Sequence, residues 1–554
     1  MRTRHLASCL AFIGLTSSVP AALANGGIDW TGFYLGAHVG GATGTATFSN
    51  PDGPPIFGDS VTTPGFLAGL QLGYNHQFAP QWLAGVEASA SVLSSQAQNT
   101  CLQTTSTFVG SNCQLFPREV ATLTGRLGYV TEPRGRTMVY GKAGVAWMRS
   151  DVSVIPNNAN LTGFALTGDP NVEGDPARQS TSAWGWTVGV GLEHALSPRW
   201  SASLGYDYLR FDGMRVPVPQ SINVTSAGAV TTVPPGGTAG MAQSLHVVRL
   251  GLNYRWGVGA ATAEPAAITP SPSWLPDWEF EGGARYWYSW GNFQSANGPA
   301  TSSLVSRLPY NNMEGHSGEL FARLDSPFGV FVKGFVGGGG ISAGTMYDED
   351  WGLGNDLASE PTGYEITRSG INGSFNYFTA DLGYNVLRGR DHRVGLFVGY
   401  NRYQYVLNTL GCAQMVAPGS GVCFPNIGSD TNAISEIDTW QSLRVGASAD
   451  VEIAKRVRIG ADIAYLPYVL VDGLDIHRLR TLYFPVRGTG NGVQAEIMIS
   501  WRATDSFDIG IGGRYWSMWT TTAYQTDNQG NFMNLSADRY GVFVQASYRF
   551  NSGR

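Results

Sequence analysis

The stretch Tyr540-Gly541-Val542-Phe543-Val544-Gln545-Ala546-Ser547-Tyr548-Arg549-Phe550 decides the fold. Tyr540, Val542, Val544, Ala546, Tyr548 and Phe550 fall on one face of an extended chain, and Gly541, Phe543, Gln545, Ser547 and Arg549 on the other. Side chains of a strand alternate between faces, so this period of two reads as β-structure. A soluble sheet also alternates. Here, though, aromatic residues cap an apolar face about ten residues long, which is how a lipid-facing barrel strand reads. Residues 244–256 repeat the pattern, with His246, Val248, Leu250, Leu252, Tyr254 and Trp256 against Val247, Arg249, Gly251, Asn253 and Arg255. A strand of the closing type therefore occurs once in mid-chain and once at the end.

Working outward, similar segments start near residues 31, 63, 81, 118, 137, 181, 199 and 243, and again near 279, 316, 329, 373, 393, 438, 457, 491, 506 and 539. In the first half the long connections are 48–62, 95–116, 153–180 and 213–242, and the tight ones lie around Pro80, Pro133 and Pro198. The second half turns tightly at Ser326-Pro327, 389–391, Ala454-Lys455 and Thr504-Asp505. Short turns at one end and long loops at the other are expected of an outer-membrane barrel, with the long loops outside. Residues 258–277, with Pro265, Pro270, Pro272 and Pro276 among alanines, read as a linker. The expected fold is all-β: two tandem antiparallel transmembrane β-barrels, eight strands over 25–257 and ten over 278–554. Even counts put the termini and the linker on the periplasmic side. One eighteen-stranded barrel is the alternative, against which the length and Pro content of the linker argue. Bores of eight and ten strands are filled by side chains, so neither half is expected to be an open pore.

Composition agrees. Only 14% of the 554 residues are charged, against about 25% in soluble domains, while 12% are aromatic and 73 are Gly. Beyond the N-terminus no apolar run reaches the roughly 18 residues of a membrane helix. A hydrophobic share of 43% excludes disorder. The net charge of -6, without a basic cluster, argues against nucleic acid as a partner. Arg2 and Arg4, the apolar stretch 6–19 and Ala22-Leu23-Ala24 form a secretory signal peptide over 1–24, which would carry away Cys9. The other cysteines form two local pairs, Cys101 with Cys113 and Cys412 with Cys423. Without His nearby, two disulfides formed in an oxidising compartment are expected.

Two acidic constellations mark the second half. Asp348-Glu349-Asp350-Trp351 follows its third segment and Asp475-Ile476-His477 its seventh. At extended spacing each i, i+2 pair shares a face. Outer loops two and four of an up-and-down barrel share a rim and can face each other across the mouth. A His beside an Asp can take a proton from water at neutral pH, because the carboxylate fixes the imidazole tautomer and supports its charge. Two carboxylates opposite could hold the same water. A nucleophilic triad lacks a Ser or Cys motif; a metal site would need Asp475, His477 and one of Asp348 or Asp350 as ligands.

Two resemblances follow. The opening Asp29-Trp30-Thr31-Gly32-Phe33-Tyr34-Leu35-Gly36 resembles that of the eight-stranded porin-like surface proteins related to the OmpA membrane domain, over residues 25–257. It implies a surface or envelope role without chemistry. Ten strands, residues 346–351, the Asp-x-His pair and Gly399-Tyr400-Asn401-Arg402-Tyr403 are similar to the omptins, outer-membrane endopeptidases, over residues 278–550. That resemblance implies Asp475 and His477 as a water-activating dyad and Asp348 and Asp350 as the opposing acids. It also implies cleavage of surface peptides beside basic residues, and dependence on outer-membrane lipopolysaccharide rather than on a cofactor. Omptins carry acids in the pocket for the basic side chain, where this sequence has Gly291 and Gly473; the adjacent Asp472 is the candidate substitute. The histidine- and proline-containing stretch after the omptin acid pair is replaced by residues 352–356. A non-catalytic surface protein, concerned with envelope integrity or adhesion, is the competing expectation.

Overall fold

The computed structural model describes residues 28–49, 60–101, 111–131, 135–156, 176–218, 221–224, 230–233, 238–256, 278–297, 304, 306–351, 364–389, 392–415, 423, 425–527 and 532–551. The signal peptide, the linker and residues 352–356 lie outside them.

The described residues of the first half form strands β1 (Gly32–Ser49), β2 (Ser60–Ala79), β3 (Trp82–Ser95), β4 (Ala97–Cys101), β5 (Ser111–Thr131), β6 (Thr137–Pro156), β7 (Ala177–Ala195), β8 (Trp200–Pro217), β9 (Ser221–Val224), β10 (Val230–Val233) and β11 (Thr238–Trp256). Nine of them make one antiparallel sheet, in which β3 also pairs with β5 and β1 with β11. These pairings close a ring of eight. The strand beyond the expected eight is β4, which prolongs β3 alongside β5, and β9 with β10 forms a separate two-stranded ribbon.

The second half is a closed barrel of ten: β12 (Glu279–Asn297), β13 (Ser306–Asp325), β14 (Val330–Trp351), β15 (Tyr364–Arg388), β16 (His392–Gln414), β17 (Ile427–Ala454), β18 (Val457–His477), β19 (Leu482–Arg502), β20 (Phe507–Gln525) and β21 (Met533–Asn551). The single eighteen-stranded alternative is thereby excluded.

Expected and observed strand ends agree at the short turns and differ at the long loops. β13 begins at Ser306 rather than near 316, and β17 at Ile427 rather than near 438. The reason is solvent. Along the lipid-facing band the outward side chains are apolar and exposed, such as Val332, Val336, Leu443 and Val445. Beyond it the strands continue with polar outward faces, so hydropathy stops alternating while the hydrogen-bonded ladder does not. Asp472 and Arg487 mark that level: they are paired neighbours on β18 and β19, point outward and form an exposed ion pair at 2.8 Å.

Both bores are filled. In the first, Glu87, Glu193 and Asp207 meet Arg126, Lys142 and Arg249 in a buried network, with Arg126 to Glu193 at 2.9 Å and Lys142 to Glu87 at 3.1 Å. In the second, Arg514 joins Glu319 (2.6 Å) to Glu496 (2.8 Å) beneath a layer of Trp287, Tyr377, Tyr403 and Trp516.

The barrels lie side by side with the same polarity. Thr100 touches Glu349 at the long-loop end (2.6 Å), Phe66 packs on Tyr465 in the middle (4.9 Å) and His194 on His392 at the short-turn end (5.4 Å). Outward residues on this stripe, including Ile463 and Val493, are consequently buried.

Candidate functional site

Two β-bulges aim the acidic constellations. On β14, Lys333 reaches Asp462 across the bore and Ile341 sits in the core, so odd residues point inward. Between Ile341 and Thr345 the strand holds one residue more than its partner β15. Beyond this bulge parity is reversed: Met346 is in the core, and Asp348 and Asp350 follow it on the inner face while Glu349 turns outward. On β18, Asp462, Ala464 and Leu466 face inward, and an extra residue between Leu466 and Val469 reverses parity again. Val469 and Val471 then join the core, followed by Gly473, Asp475 and His477. A bulge costs ladder regularity and recurs in proteins where a side chain must be re-aimed.

The acids expected in loops therefore stand on strand ends, in a rigid ladder. Among the expected site residues, Asp472 is turned away from the interior. Three residues before Asp475, it falls on the opposite face, pairs with Arg487 outside the barrel and cannot line an interior pocket.

His477 Nε2 lies 3.1 Å from Asp475 Oδ2, and both side chains are about 15% exposed, at 16% and 14%. Opposite, Tyr310 of β13 is fully buried, and Glu436, Asp475, Asp348 and Asp438 all act electrostatically on its hydroxyl. Burial first, then those carboxylates, keep it a neutral phenol. Asp348 of β14 and Asp475 of β18 thus both bear electrostatically on the Tyr310 hydroxyl.

Glu436 and Asp438 of β17 were not singled out in the sequence. The i, i+2 spacing that flagged the other pairs is present here too, and β17 pairs directly with β18: Glu436 with Asp475, Asp438 with Gly473. Both are buried, at the level of the Asp472–Arg487 pair and so beyond the lipid-facing band. Asp438 accepts a hydrogen bond from Tyr405 Oη at 2.5 Å, and the carboxyls of Asp438 and Glu436 share a hydrogen bond with each other. Burial pushes both carboxyls up, and for Glu436 the nearby Asp438 and Asp475 push further.

The two positions where acids were expected by resemblance are filled differently. Asp438 takes the space beside Gly473. Beside Gly291 stands Arg539, which donates to Tyr403 Oη (3.1 Å) and Ser289 Oγ (2.8 Å).

The expected disulfides form, with Cα–Cα distances of 5.8 Å for Cys101–Cys113 and 5.5 Å for Cys412–Cys423.

Residues 7–255 match the family model described as outer membrane protein beta-barrel domain. The 31 kDa outer-membrane immunogenic protein of Brucella melitensis biotype 1 is 26% identical over 245 residues, covering 43% of this chain and 89% of that protein. Its namesake in Brucella suis biovar 1 matches to the same extent. Among solved structures, the outer membrane protease OmpT from Escherichia coli is 16% identical, with a TM-score of 0.40, covering 51% of this chain and 99% of that one. Ail, the attachment invasion locus protein of Yersinia pestis, is 14% identical with a TM-score of 0.19, covering 41% and 99%. With lipid-facing walls, filled bores and this likeness of its first half, the chain is an outer-membrane β-barrel protein.

Proposed function

We propose that the second barrel is an omptin-like endopeptidase and the first a non-catalytic surface barrel fused to it. The observation that carries the reading is the His477–Asp475 contact at 3.1 Å on the face toward which the opposing acids of β14 are also turned. Asp475 holds the imidazole, and His477 takes a proton from a water as that water attacks a peptide carbonyl. Asp348 and Asp350 hold the water from the other side. The long loops face the cell exterior and the termini and linker the periplasm, so the substrate is a surface peptide or protein. Lipopolysaccharide is the lipid partner the resemblance implies.

Specificity rests on β17. With Gly at 291 and 473, the buried carboxyls of Glu436 and Asp438 are the groups able to meet a basic side chain beside the scissile bond. Arg539 next to Gly291 makes the other side of that pocket positive. In the first barrel the buried Glu87, Glu193 and Asp207 are all engaged by Arg126, Lys142 and Arg249, and its likeness to an outer-membrane immunogenic protein of Brucella supports a surface role.

The test is cleavage of a peptide library by the full chain refolded with lipopolysaccharide. Cleavage that disappears in His477→Ala supports the proposal. No cleavage, or cleavage unchanged by that substitution, leaves the surface-protein reading.

A further inference from the structure

Between their outer walls, at the long-loop level, the two barrels enclose a cavity of about 910 Å³. That is within the roughly 300–1,000 Å³ of small-molecule sites. Its walls come from β1, β2, the β3–β4 junction and β11 on one side, and from β12, β13, β14, β20 and β21 on the other. It is outside both bores and separate from the acid cluster.

The lining selects its ligand by what it lacks. Among the described residues no Lys or Arg lines the cavity, Asp538 is its one carboxyl and His246 its one imidazole. A phosphate, a nucleic acid or an anionic headgroup would find no lysine or arginine to meet it, and His246 is already held by Tyr206 Oη at 2.8 Å. A wholly apolar molecule would leave unpaired the Asn, Gln, Thr and Ser side chains that make up half of the lining residues. Amides and hydroxyls that donate and accept at close spacing match a ligand dense in hydroxyls. Of the aromatic residues in the lining, Tyr540 is the most open, at 43% exposure, and supplies a flat face for the C–H side of a sugar ring.

One part is already oriented. Asn292 Oδ1 accepts from the backbone N–H of Asn312 at 2.9 Å, which fixes the amide. Its Nδ2 then donates to Asp538 Oδ2 at 3.0 Å, the one hydrogen bond to this carboxylate among the described residues. Asn312 adopts φ 54°, a left-handed conformation that Asn tolerates better than most residues. The opposite wall is braced by the Cys101–Cys113 disulfide, which ties β4 to β5 beside Gln98 and Asn99.

We propose that this inter-barrel cavity binds an uncharged oligosaccharide, either free in the medium or as the sugar chain of a surface glycolipid. Asp538 and Asn292 bind the hydroxyls and Tyr540 stacks on a ring.

The full chain, refolded in detergent, is applied to an array of neutral mono- to tetrasaccharides with phosphorylated sugars alongside. Hits are titrated by tryptophan fluorescence. At least one neutral glycan should bind saturably, and Asp538→Asn and Tyr540→Ala should each weaken it by about tenfold or more while the barrels keep their heat-modifiable mobility. In a second arm, a sugar-bearing glycolipid is compared with the same lipid stripped of sugar. Binding of the sugar-bearing form alone assigns the lipid-linked source, and binding of free glycan alone the soluble one. Binding of phosphorylated sugars only, equal binding of the stripped lipid, affinity unchanged in both variants, or no neutral glycan or glycolipid bound would overturn the proposal.

Discussion

The carboxylate of Asp438 on β17 occupies the space into which a β-carbon on its register partner, Gly473 of β18, would project. A side chain at 473 and a carboxylate at 438 therefore exclude each other. Gly473→Ala should cost about 1–3 kcal/mol through overpacking. The loss should largely vanish when Asp438→Gly is added, because the two changes share one volume. Urea midpoints of the two singles and the double give the coupling. The exchange Asp438→Gly with Gly473→Asp keeps the charge in the same volume and should retain cleavage beside a basic residue, whereas Asp438→Gly alone should lose it.

Parity makes a sharper prediction for β14. Deleting Ala343 removes the extra residue of the bulge and restores the period of two through Ile341. Asp348 and Asp350 would then point out of the barrel and Glu349 in. Peptidase activity should fall at least as far as in Asp348→Ala, on the order of a thousandfold for loss of a group acting only in the transition state. Heat-modifiable mobility should persist. Full activity in the deletion would show that the acids need not face the bore.

Glu436 gives a pH dependence of stability. Its carboxyl is raised above the ordinary 4.5 by burial and by Asp438 and Asp475. Between the unfolded and folded values the native state holds a proton that the unfolded chain has released, so stability falls as pH rises through this window. Glu436→Gln removes the titration. The variant should therefore lose less stability than the wild-type chain between about pH 5 and pH 8 in urea. A wild-type urea midpoint falling no more than that of the variant over this window would count against a buried, protonated Glu436.

How far the sequence reveals this molecule depends on which side of a strand it is read from. Tyr540 to Phe550 announces a barrel wall because lipid demands apolar residues at every second outward position. That demand ends where the membrane ends, which hid the loop-side portions of β13 and β17 and left Asp348 and Asp475 in imagined loops. Asp472 was misjudged as a pocket residue because nearness in sequence took precedence over parity. Glu436 and Asp438 have the same spacing as the pairs that were noticed. They lack a neighbouring His or Trp to draw notice, and only the β17–β18 register brings them to Asp475. The cavity between the barrels has no sequence signature, since it belongs to the way two walls meet.

The junction itself can be tested at Glu349, the outward residue between the two inward acids of β14. Arg307 of β13 and Thr100 of β4 both bond its carboxylate, and all three are buried. If a protease site is placed within 258–277 and cut, the two barrels should remain associated on a native gel, because buried contacts run the length of the stripe. Thr100→Val removes one hydrogen bond to a charged group and should weaken the association by about 1–3 kcal/mol. Glu349→Gln neutralises the carboxylate that bonds the buried Arg307, and breaking a buried ion pair costs about 3–5 kcal/mol. The cut halves of that variant should separate at a lower urea concentration than those of Thr100→Val. Separation of the uncharged and wild-type pairs at the same concentration would mean that this triad does not hold the barrels together.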